Sequence, residues 1–451
     1  MNPYVTPSSQ IYDVIGIGLG PFNLGMAALL DSVPDVTSLF FEKEKEFNWH
    51  PNMLIEGTTL QVPFLADLVS MADVKSKYSF LHYLQEHNRL YHFYFYEKFH
   101  IPRKEYNHYC RWVSEQLESC QFGKNVRDVI PFKKEGEQVY QLNVMDEDTQ
   151  TMTSFFSRNV VVGIGTVPAV PEPFKQHLGS SLFHTSDYLA NKADIGSNQS
   201  VVVIGSGQSA AEVFLDVARH QQEYGGSLEW YTRSKGFFPM EYSKLGLEYF
   251  SPDYTEFFYK LPQTKKDELI KEQDLLYKGI SAETISDIYD HLYERSIGNE
   301  QVSIHLQAMT EMTDLETNHD KWKLKGVHRV KNEAVMTEAD IVILGTGYQP
   351  AVPTFLNTMK NWIEWDGYGR YHVKKGYGLD TALKGSGEIF IQNGELHTHG
   401  VGAPDLGLGA HRNAVIINQL AKREVYKVEH KNVFQSFEAH QPVKQPQFSI
   451  N

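Results

Sequence analysis

The chain has 451 residues, a formal net charge of −14, 41% hydrophobic residues and 22% charged residues. This length exceeds one ordinary single-core domain, and the composition is that of a globular protein, not of a disordered or collagen-like one. The acidic balance and the lack of a concentrated basic run argue against nucleic acid as a partner.

The cysteine count and the chain's hydropathy limit the compartment. Cys110 and Cys120 are the two cysteines, and they form no Cys-x-x-Cys pair, so we expect neither a disulfide framework nor a zinc cluster. Residues 1–10 lack a basic run followed by an apolar core, and no later window approaches the roughly 18 apolar residues of a membrane span. These features predict a soluble, cytoplasmic protein without a membrane partner.

The first predicted element is an apolar strand that runs into a glycine-rich turn at residues 12–20, YDVIGIGLG. A strand that ends in glycines and opens a helix presents free N–H groups and the positive end of the helix dipole to a pyrophosphate. The turn residues and those that open the helix are Gly16, Gly18, Gly20, Pro21 and Phe22. Pro21 replaces the third glycine of GxGxxG, so the match is imperfect.

A second strand, residues 38–41, ends in Glu42, 22 residues after Gly20. A carboxylate at this point can accept hydrogen bonds from ribose hydroxyls. The combination predicts an FAD or NAD site, and the alternative is a tight turn with a surface glutamate.

The same layout returns at residues 200–210, SVVVIGSGQSA, where Gly205, Gly207 and Ala210 form a full GxGxxA. The next strand, residues 228–231, leads into Thr-Arg-Ser-Lys and carries no acidic residue at its tip. Arg233 would pair with a 2′-phosphate, so this site is predicted to prefer NADPH over NADH. A solvated surface charge is the alternative for Arg233.

Two more strand–glycine segments, residues 159–168 and 341–348, stand where a chain would enter and leave an inserted domain. We therefore predict an α/β fold with two Rossmann-like dinucleotide-binding domains, the NADPH domain inserted in the FAD domain. The helical spacing of the region before residue 300 predicts a small, mainly helical substrate-binding cap. The predicted boundaries are 1–165 with 340–451 for the FAD domain, 170–235 with 300–335 for the NADPH domain, and 236–300 for the cap. Two nucleotide sites without a redox-active cysteine pair indicate an FAD enzyme that is reduced by NADPH and passes electrons to O2.

Seven segments carry a family resemblance along nearly the whole chain. They are GIGLGPFNL (16–24), FNWHPNML (47–54), LQVPFLADLVS (60–70), RKEYNHYCRWV (103–113), VVVIGSGQSAAEVF (201–214), GTGY (345–348) and LHTHGVGAPDLGL (396–408). Together they resemble the flavin-dependent N-hydroxylating monooxygenases of siderophore biosynthesis. The resemblance implies that NADPH reduces FAD, that O2 gives a C4a-hydroperoxyflavin, and that a neutral primary amine becomes a hydroxylamine. It also implies a homo-oligomer, for which a tetramer is one arrangement.

Site residues follow from the same resemblance, position by position. It implies FAD contacts by Trp49, His50, Gln61, Asp405 and Leu406, and NADPH contacts by Gln208, Ser209 and Arg233. Gln61 would reach toward the reacting centre and is the predicted catalytic residue, whereas core packing is the alternative for Trp49. His397 and His399 form a His-x-His pair without a nearby third ligand, so we predict a structural role for both and no metal.

The informative departure from the family lies in FLADLVS. Members that act on ornithine or lysine resemble FLKDLVS, and that lysine pairs with the substrate carboxylate, whereas this chain has Ala66. Removing one partner of a buried ion pair costs roughly 3–5 kcal/mol. Leu247 likewise precedes Glu248 where ornithine enzymes have an asparagine. Both changes predict a carboxylate-free amine, such as histamine, putrescine or cadaverine.

Three alternatives stay open. Gly409-Ala410-His411 would make room for an imidazole ring and favours histamine slightly among the amines. Lys278 or Lys244 could replace the missing carboxylate partner, which would restore lysine or ornithine as the substrate. A Baeyer–Villiger monooxygenase shares both nucleotide sites, but its FxGxxxHxxxW pattern is not met by the stretch 183–188, FHTSDY.

Overall fold

The computed structural model describes residues 5–299, 303–383, 385–429 and 431–439. The strands are β1 Val5–Ile17, β2 Ser38–Phe41, β3 Cys120–Gln121, β4 Lys124–Lys134, β5 Glu137–Asp146, β6 Met152–Val162, β7 Thr166–Pro168, β8 Leu182–His184, β9 Val201–Ile204, β10 Leu228–Tyr231, β11 Ile304–Gln307, β12 Thr310–Asn318, β13 Lys321–His328, β14 Glu333–Ala339, β15 Ile341–Leu344, β16 Tyr348–Pro350 and β17 Ile389–Ile391.

The α-helices are α1 Pro21–Leu30, α2 Phe80–Glu86, α3 Leu90–Tyr96, α4 Arg103–Glu115, α5 Glu172–Lys175, α6 Tyr188–Asn191, α7 Gln208–Tyr224, α8 Pro252–Lys260, α9 Gln263–Glu272, α10 Ala282–Arg295, α11 Leu396–His399 and α12 Gly409–Ala421. Within the described ranges, none of these helices is long and apolar enough to cross a membrane.

The first sheet has the strand order β3-β2-β1-β6-β5-β4, and β17 also pairs with β6. β1 lies between β2 and β6 and is parallel to both, whereas β4 and β5 are antiparallel additions. Val14 and Ile15 of β1 are fully buried, as expected for a central parallel strand that is covered on both faces. Helix α1 follows β1 directly and is buried along its whole length.

The second sheet has the order β11-β10-β9-β15-β8, and all its pairings are parallel. One face packs against α7, because Phe214 and Ala218 join Val203 in one buried cluster. The other face packs against the antiparallel sheet β12-β13-β14, in a cluster that includes Val202 and Leu324. Both faces of the parallel sheet are therefore covered, one by a helix and the other by an antiparallel sheet.

The two chain crossings between the sheets run side by side. β7 pairs antiparallel with β16, which puts the outgoing and returning segments into one two-stranded ribbon. The predicted return to the first domain at residue 340 is wrong by one strand, because β15 pairs with β9 and β8 in the second sheet. The local sequence of β15 resembles that of β6, so it did not reveal which sheet the strand joins.

The predicted cap at 236–300 does not pack as one unit. Tyr254 and Phe258 of α8 share a buried cluster with Val401 from the C-terminal part of the first domain. Ile288 of α10 instead lies in the cluster of the second sheet, and His291 contacts the Ala218 carbonyl oxygen at 3.1 Å through Nε2. Helical spacing predicts an amphipathic helix but does not identify the surface that covers its apolar face.

Candidate functional site

The first glycine turn joins β1 to α1. Gly18 has a φ of +83°, and a Cβ there would lie 2.7 Å from the Gly163 carbonyl oxygen, so only glycine fits without strain. A Cβ on Gly20 would instead meet nothing nearer than that same oxygen at 3.9 Å. The start of α1 is therefore open, and its unpaired N–H groups and dipole favour an anion there.

Glu42 is fixed beside this turn by the main chain. The Leu19 N–H donates to Oε2 at 2.8 Å, and the Glu44 N–H donates to Oε1 at 3.1 Å. A carboxylate has about four lone-pair positions, so these two bonds leave capacity for ribose hydroxyls. The structure thus brings Glu42 to the place that the sequence spacing predicts.

A row of rings runs from the first turn region toward the chain crossings. The Trp49 and His50 ring centroids lie 4.9 Å apart, those of His50 and Tyr348 lie 5.6 Å apart, and those of Tyr348 and His184 lie 5.2 Å apart. Desolvation, and secondly the charge of Arg103, lowers the pKa of His50 to about 4, although part of the residue stays exposed. His50 is therefore neutral near pH 7. Tyr348 and His184 were not among the predicted site residues, and only the GTGY motif pointed to Tyr348.

Gln61 presents an unused donor. Its Nε2 is buried and has no hydrogen-bond partner among the described residues. Leaving a buried donor unsatisfied costs about 1–3 kcal/mol. The amide is thus suited to a ligand that brings an acceptor.

The loop after Gln61 is held by Asp67, a residue that the sequence analysis missed. Asp67 accepts hydrogen bonds from the N–H groups of Val69, Ser70 and Phe80 at 3.0, 2.6 and 2.8 Å. Ala66, the position of the family departure, precedes it and is only 5% exposed. The ordered loop fixes where a side chain at residue 66 stands.

Asp405 and Leu406 reach the same region from the C-terminal segment. The Gly407 N–H donates to Asp405 Oδ1 at 2.8 Å, and burial raises the pKa of Asp405 to about 6. Leu406 lines a small cavity together with Pro21 and Phe22 of the first turn. These contacts place Leu406 beside the first glycine turn, and closure of an FAD site by Asp405 and Leu406 stays a prediction.

A buried ion pair supports that segment, and the sequence analysis missed it. Arg412 Nη1 lies 3.0 Å from Glu395 Oε1, and the two side chains are 2% and 0% exposed. The guanidinium lies 4.8 Å from the centre of the Phe22 ring, and Nη2 donates to the Ala403 carbonyl oxygen at 2.6 Å. An arginine inside the apolar helix α12 was the one signal available in the sequence.

The second glycine turn joins β9 to α7 with similar geometry. Gly205 has a φ of +138°, and a Cβ there would overlap the Gly345 carbonyl oxygen. A Cβ on Gly207 would meet only the Lys278 carbonyl oxygen, at 3.9 Å. Ser209, in the first turn of α7, is half-buried. The start of α7 is thus open in the same way as the start of α1.

Gln208 is fully engaged within the protein. Its Nε2 donates to Glu212 Oε1 at 2.8 Å and to Thr284 Oγ1 at 2.9 Å. Its Oε1 accepts the Ser281 N–H at 2.7 Å. Gln208 therefore links the second turn to α10, and its predicted contact with NADPH stays a prediction.

Arg233 stands at the tip of β10 beside the second turn. Its side chain is 71% exposed, and Nη1 lies 3.5 Å from Glu311 Oε1. The other Glu311 oxygen lies 3.7 Å from Nε of Arg329, a second cation that the sequence analysis did not identify. The neighbouring Ser234 Oγ lies 2.8 Å from Ser206 Oγ of the turn. Arg233 is thus close to the second turn and accessible to a ligand.

The three predicted substrate residues lie on different segments of the chain. Ala66 lies near Asp405, whereas Leu247 is 41% exposed in the 3₁₀ turn Gly246–Phe250. The Lys278 main chain lies beside the second glycine turn, and its Nζ stands 5.1 Å from the Tyr277 ring centre. Ala66 lies beside Gly407, which follows Asp405 and Leu406 of the first site, and the substrate roles of Leu247 and Lys278 stay predictions.

The two histidines of His-x-His make protein contacts. His397 Nε2 lies 2.8 Å from the Tyr371 carbonyl oxygen, and His399 Nδ1 lies 2.8 Å from Thr398 Oγ1. Across the described ranges, no group of three or more His, Cys, Asp or Glu residues is placed to hold a metal ion.

Two sheets with parallel central strands, each with a glycine turn that opens a helix, define a protein with two dinucleotide sites. Residues 10–350 match the family described as L-lysine 6-monooxygenase/L-ornithine 5-monooxygenase. The chain belongs to this family of flavin-dependent N-hydroxylating monooxygenases.

Relatives match along almost the whole chain. A putrescine N-hydroxylase from Shewanella oneidensis is 42% identical and covers 96% of this chain and 86% of its own length. The rhizobactin siderophore biosynthesis protein RhbE from Rhizobium meliloti is 43% identical, with coverages of 94% and 95%. The FAD-bound crystal structure of DfoA, the cadaverine monooxygenase of the desferrioxamine pathway in Erwinia amylovora, has a TM-score of 0.91 and 36% identity, and covers 96% of this chain and 100% of DfoA.

Family membership and these structural matches confirm three predictions. The fold contains two Rossmann-type dinucleotide-binding domains. The protein is a flavin-dependent N-hydroxylating monooxygenase. Its cofactors are FAD and NADPH, with O2 as the co-substrate.

Proposed function

We propose that the protein N-hydroxylates one primary amine of a small carboxylate-free diamine, of the putrescine or cadaverine kind, for siderophore biosynthesis. Relatives named for putrescine and cadaverine support this substrate class. The observation that carries the proposal is the charge around Ala66. Assembly as a homo-oligomer stays a prediction.

The surroundings of Ala66 favour a cation over a carboxylate. A Cβ placed on Gly407 would lie 3.8 Å from Ala66 Cβ and 2.8 Å from Asp405 Oδ1, so the methyl group and the carboxylate flank the same point. An amino-acid substrate would bring its carboxylate toward Asp405. This chain has Ala66 in place of the lysine that pairs with that carboxylate in the members acting on ornithine or lysine. The second ammonium group of a diamine would meet an opposite charge instead.

The candidate cations for binding a substrate carboxylate are already engaged in other contacts or exposed to solvent. Arg412 acts on Asp405 but is already paired with Glu395. Lys244 and Lys278 are both exposed, and the Lys278 ammonium lies over Tyr277. The Lys278 ammonium would have to leave the Tyr277 ring to bind a substrate carboxylate beside Ala66.

The first site fits FAD. The open start of α1 suits a pyrophosphate, Glu42 retains acceptor capacity for a ribose, and the unpaired Gln61 amide suits an acceptor on the isoalloxazine. In this proposal Trp49 and His50 form one wall. When FAD is bound, it supplies the electrons that activate O2.

In this proposal Asp405 and Leu406 close the first site and help to exclude water. An apolar, dry pocket favours the neutral form of an amine whose unperturbed pKa is about 10.4. His50, already neutral near pH 7, adds no positive charge that would oppose the binding of an ammonium.

The second site fits NADPH. The open start of α7 suits the pyrophosphate, and Arg233 is accessible for a 2′-phosphate. In this proposal Gln208 and Ser209 contact the dinucleotide from the first turn of α7. No carboxylate takes the place that Glu42 has in the first site, because β10 leads into Thr232 and Arg233.

Histamine gains no support from the packing. The room expected at Gly409 is limited, because a Cβ there would lie 3.0 Å from the Phe22 ring. An imidazole with a pKa near 6.5 would also be mostly neutral at pH 7.5 and would interact less with Asp405 than an ammonium does.

The test is hydroxylamine formation with putrescine, cadaverine, histamine, ornithine and lysine at equal concentration, with NADPH oxidation recorded in parallel. A diamine is expected to give the largest product-to-NADPH ratio. An Ala66→Lys variant should lower diamine turnover and raise turnover of the amino acids, with Leu65→Lys, at the exposed neighbouring position, as the matched control. Tight coupling with lysine or ornithine in the parent enzyme would refute the proposal.

A further inference from the structure

One buried ion pair bridges the two dinucleotide domains. Arg103 is the first residue of α4 in the first domain, and Glu212 lies in the second turn of α7 in the second domain. Nη1 donates to Oε2 at 2.7 Å and Nη2 donates to Oε1 at 2.8 Å, which makes a two-pronged fork. The side chains are 12% and 3% exposed.

Such a pair contributes more to geometry than to stability. Burial raises the pKa of Glu212, and the charge of Arg103 opposes that rise and keeps the carboxylate available for pairing. The desolvation of two charges often cancels their attraction, so an apolar pair of similar size can be equally stable. A forked guanidinium–carboxylate pair does, however, fix both the distance and the angle between the elements that carry it.

The fork continues into the second glycine turn. Glu212 Oε1 also accepts the Gln208 amide, and Gln208 is the first residue of α7. Gln208 in turn accepts the Ser281 N–H and donates to Thr284, which fixes the start of α10. A rotation of α7 relative to α4 would therefore disturb Gln208 at the mouth of the second site.

On its other side, Arg103 is close enough to the row of rings for its charge to act on two of them. Its charge is the second cause, after desolvation, of the lowered pKa of His50, and it also acts on Tyr348. The ion pair thus stands between the ring wall of the first site and the helix that opens the second. If both dinucleotides bind as proposed, the nicotinamide and the flavin would meet near this pair.

We propose that Arg103 and Glu212 are positioning residues that hold α7 against the first domain so that NADPH is aligned for hydride transfer. This inference rests on the FAD and NADPH assignment, but not on the identity of the amine. It predicts a loss in the rate of flavin reduction rather than in the amine reaction. Misplacement by about 1 Å can cost about 100-fold in rate.

The main test uses Glu212→Gln, which keeps the shape and removes the charge. In anaerobic stopped-flow mixing with NADPH and no amine, the limiting rate of flavin reduction should fall roughly 10- to 100-fold. The isotope effect with NADPH deuterated at the transferred position should rise. Arg103→Lys keeps the charge but not the fork, so it should give an intermediate rate.

Glu105→Gln is the matched control. Glu105 is also on α4 and accepts two hydrogen bonds from Arg89, but both residues belong to the first domain. This variant should retain the parent rate of flavin reduction. An unchanged rate in Glu212→Gln, or an equal loss in Glu105→Gln, would overturn the inference.

A second measurement separates positioning from folding. Glu212→Gln enzyme reduced with a single equivalent of dithionite, supplied with saturating NADP+ and then mixed with O2 and the diamine should give the same hydroxylamine yield per flavin as the parent. An equal loss of this yield would indicate a general structural defect and would contradict the inference. If Glu212→Gln does not retain FAD, the shorter carboxylate in Glu212→Asp serves for the same two measurements. Failure of the parent to hydroxylate any diamine would refute the proposed substrate alone, since flavin reduction is measured without amine.

Discussion

Distant parts of the chain surround the region of the first glycine turn, whereas the cation beside the second turn is exposed to solvent. Glu42 beside the first turn is held by main-chain hydrogen bonds, and the C-terminal segment closes over Phe22 through Leu406. Arg233 beside the second turn is 71% exposed, and its Nη1 lies 3.5 Å from Glu311 Oε1. An enclosed site suits a cofactor that stays bound, and an accessible site suits one that exchanges in each cycle.

The largest expected effect comes from removing the charge that supports the enclosed site. Glu395→Gln leaves Arg412 buried without its partner, so the free energy of unfolding should fall by about 3–5 kcal/mol and FAD should be lost. Urea unfolding and the flavin absorbance of the purified protein measure both effects. Glu388→Gln, which removes a more exposed pair with Lys374, should cost about 1 kcal/mol or less. Equal losses in the two variants would contradict the importance of burial at Glu395.

A matched pair of glycine variants separates the two sites. A Cβ at Gly20 or Gly207 meets no protein atom closer than 3.9 Å, so alanine should fit the protein but crowd an approaching pyrophosphate. Gly20→Ala should weaken FAD binding, and Gly207→Ala should weaken NADPH binding while FAD is retained. Overpacking of about 1–3 kcal/mol corresponds to roughly 5- to 150-fold in the dissociation constant. FAD titration of the apoprotein and NADPH titration of the reduction rate would measure these losses. If Gly20→Ala weakened NADPH binding and Gly207→Ala weakened FAD binding, the two site assignments would be reversed.

The exposed cation of the second site should decide which dinucleotide is used. Arg233→Ala should raise the KM for NADPH roughly 10- to 100-fold, because a charged hydrogen bond contributes about 1.5–3 kcal/mol, and should change the KM for NADH little. Steady-state kinetics with both dinucleotides measures this. Lys331→Ala, on the nearby exposed loop, is the control. If the KM values for NADH and NADPH rise equally, Arg233 does not read the 2′-phosphate.

The smallest effect concerns pH at the enclosed site. Burial lowers the pKa of His399 to about 3, below its unfolded value near 6.5, so the unfolded state binds more protons in between and stability falls as the pH falls through 6.5. Asp405, whose folded-state pKa is raised to about 6, has the opposite effect. Between its unfolded pKa and pH 6, its contribution to stability rises as the pH falls. Between pH 7 and 5.5 the parent should lose about 1 kcal/mol more than His399→Gln.

Urea unfolding at the two pH values tests this difference. The exposed His319, replaced by glutamine, should leave the pH dependence of the parent unchanged. Parallel pH curves for the parent and His399→Gln would show that His399 is not held neutral by burial.

The sequence by itself determined the two glycine turns, Glu42, the cation at Arg233 and the family. These features are local, because a strand, a turn and a helix start lie within a few residues and their spacing follows directly from the geometry of the βαβ unit. Ala66 also stood out in the sequence, since a one-residue departure within a recognisable segment needs no structure to be seen.

Tertiary structure decided the rest. It placed β15 in the second sheet and α10 on the second domain, although their local patterns fit other assignments. It paired Arg103 with Glu212 and Arg412 with Glu395, and it brought Asp405 toward Ala66. Hydrophobic periodicity identifies the face of an element that is buried, but not the element that covers it. Contacts between residues separated by tens or hundreds of positions form only when both domains pack, so these partners could not be identified from the sequence.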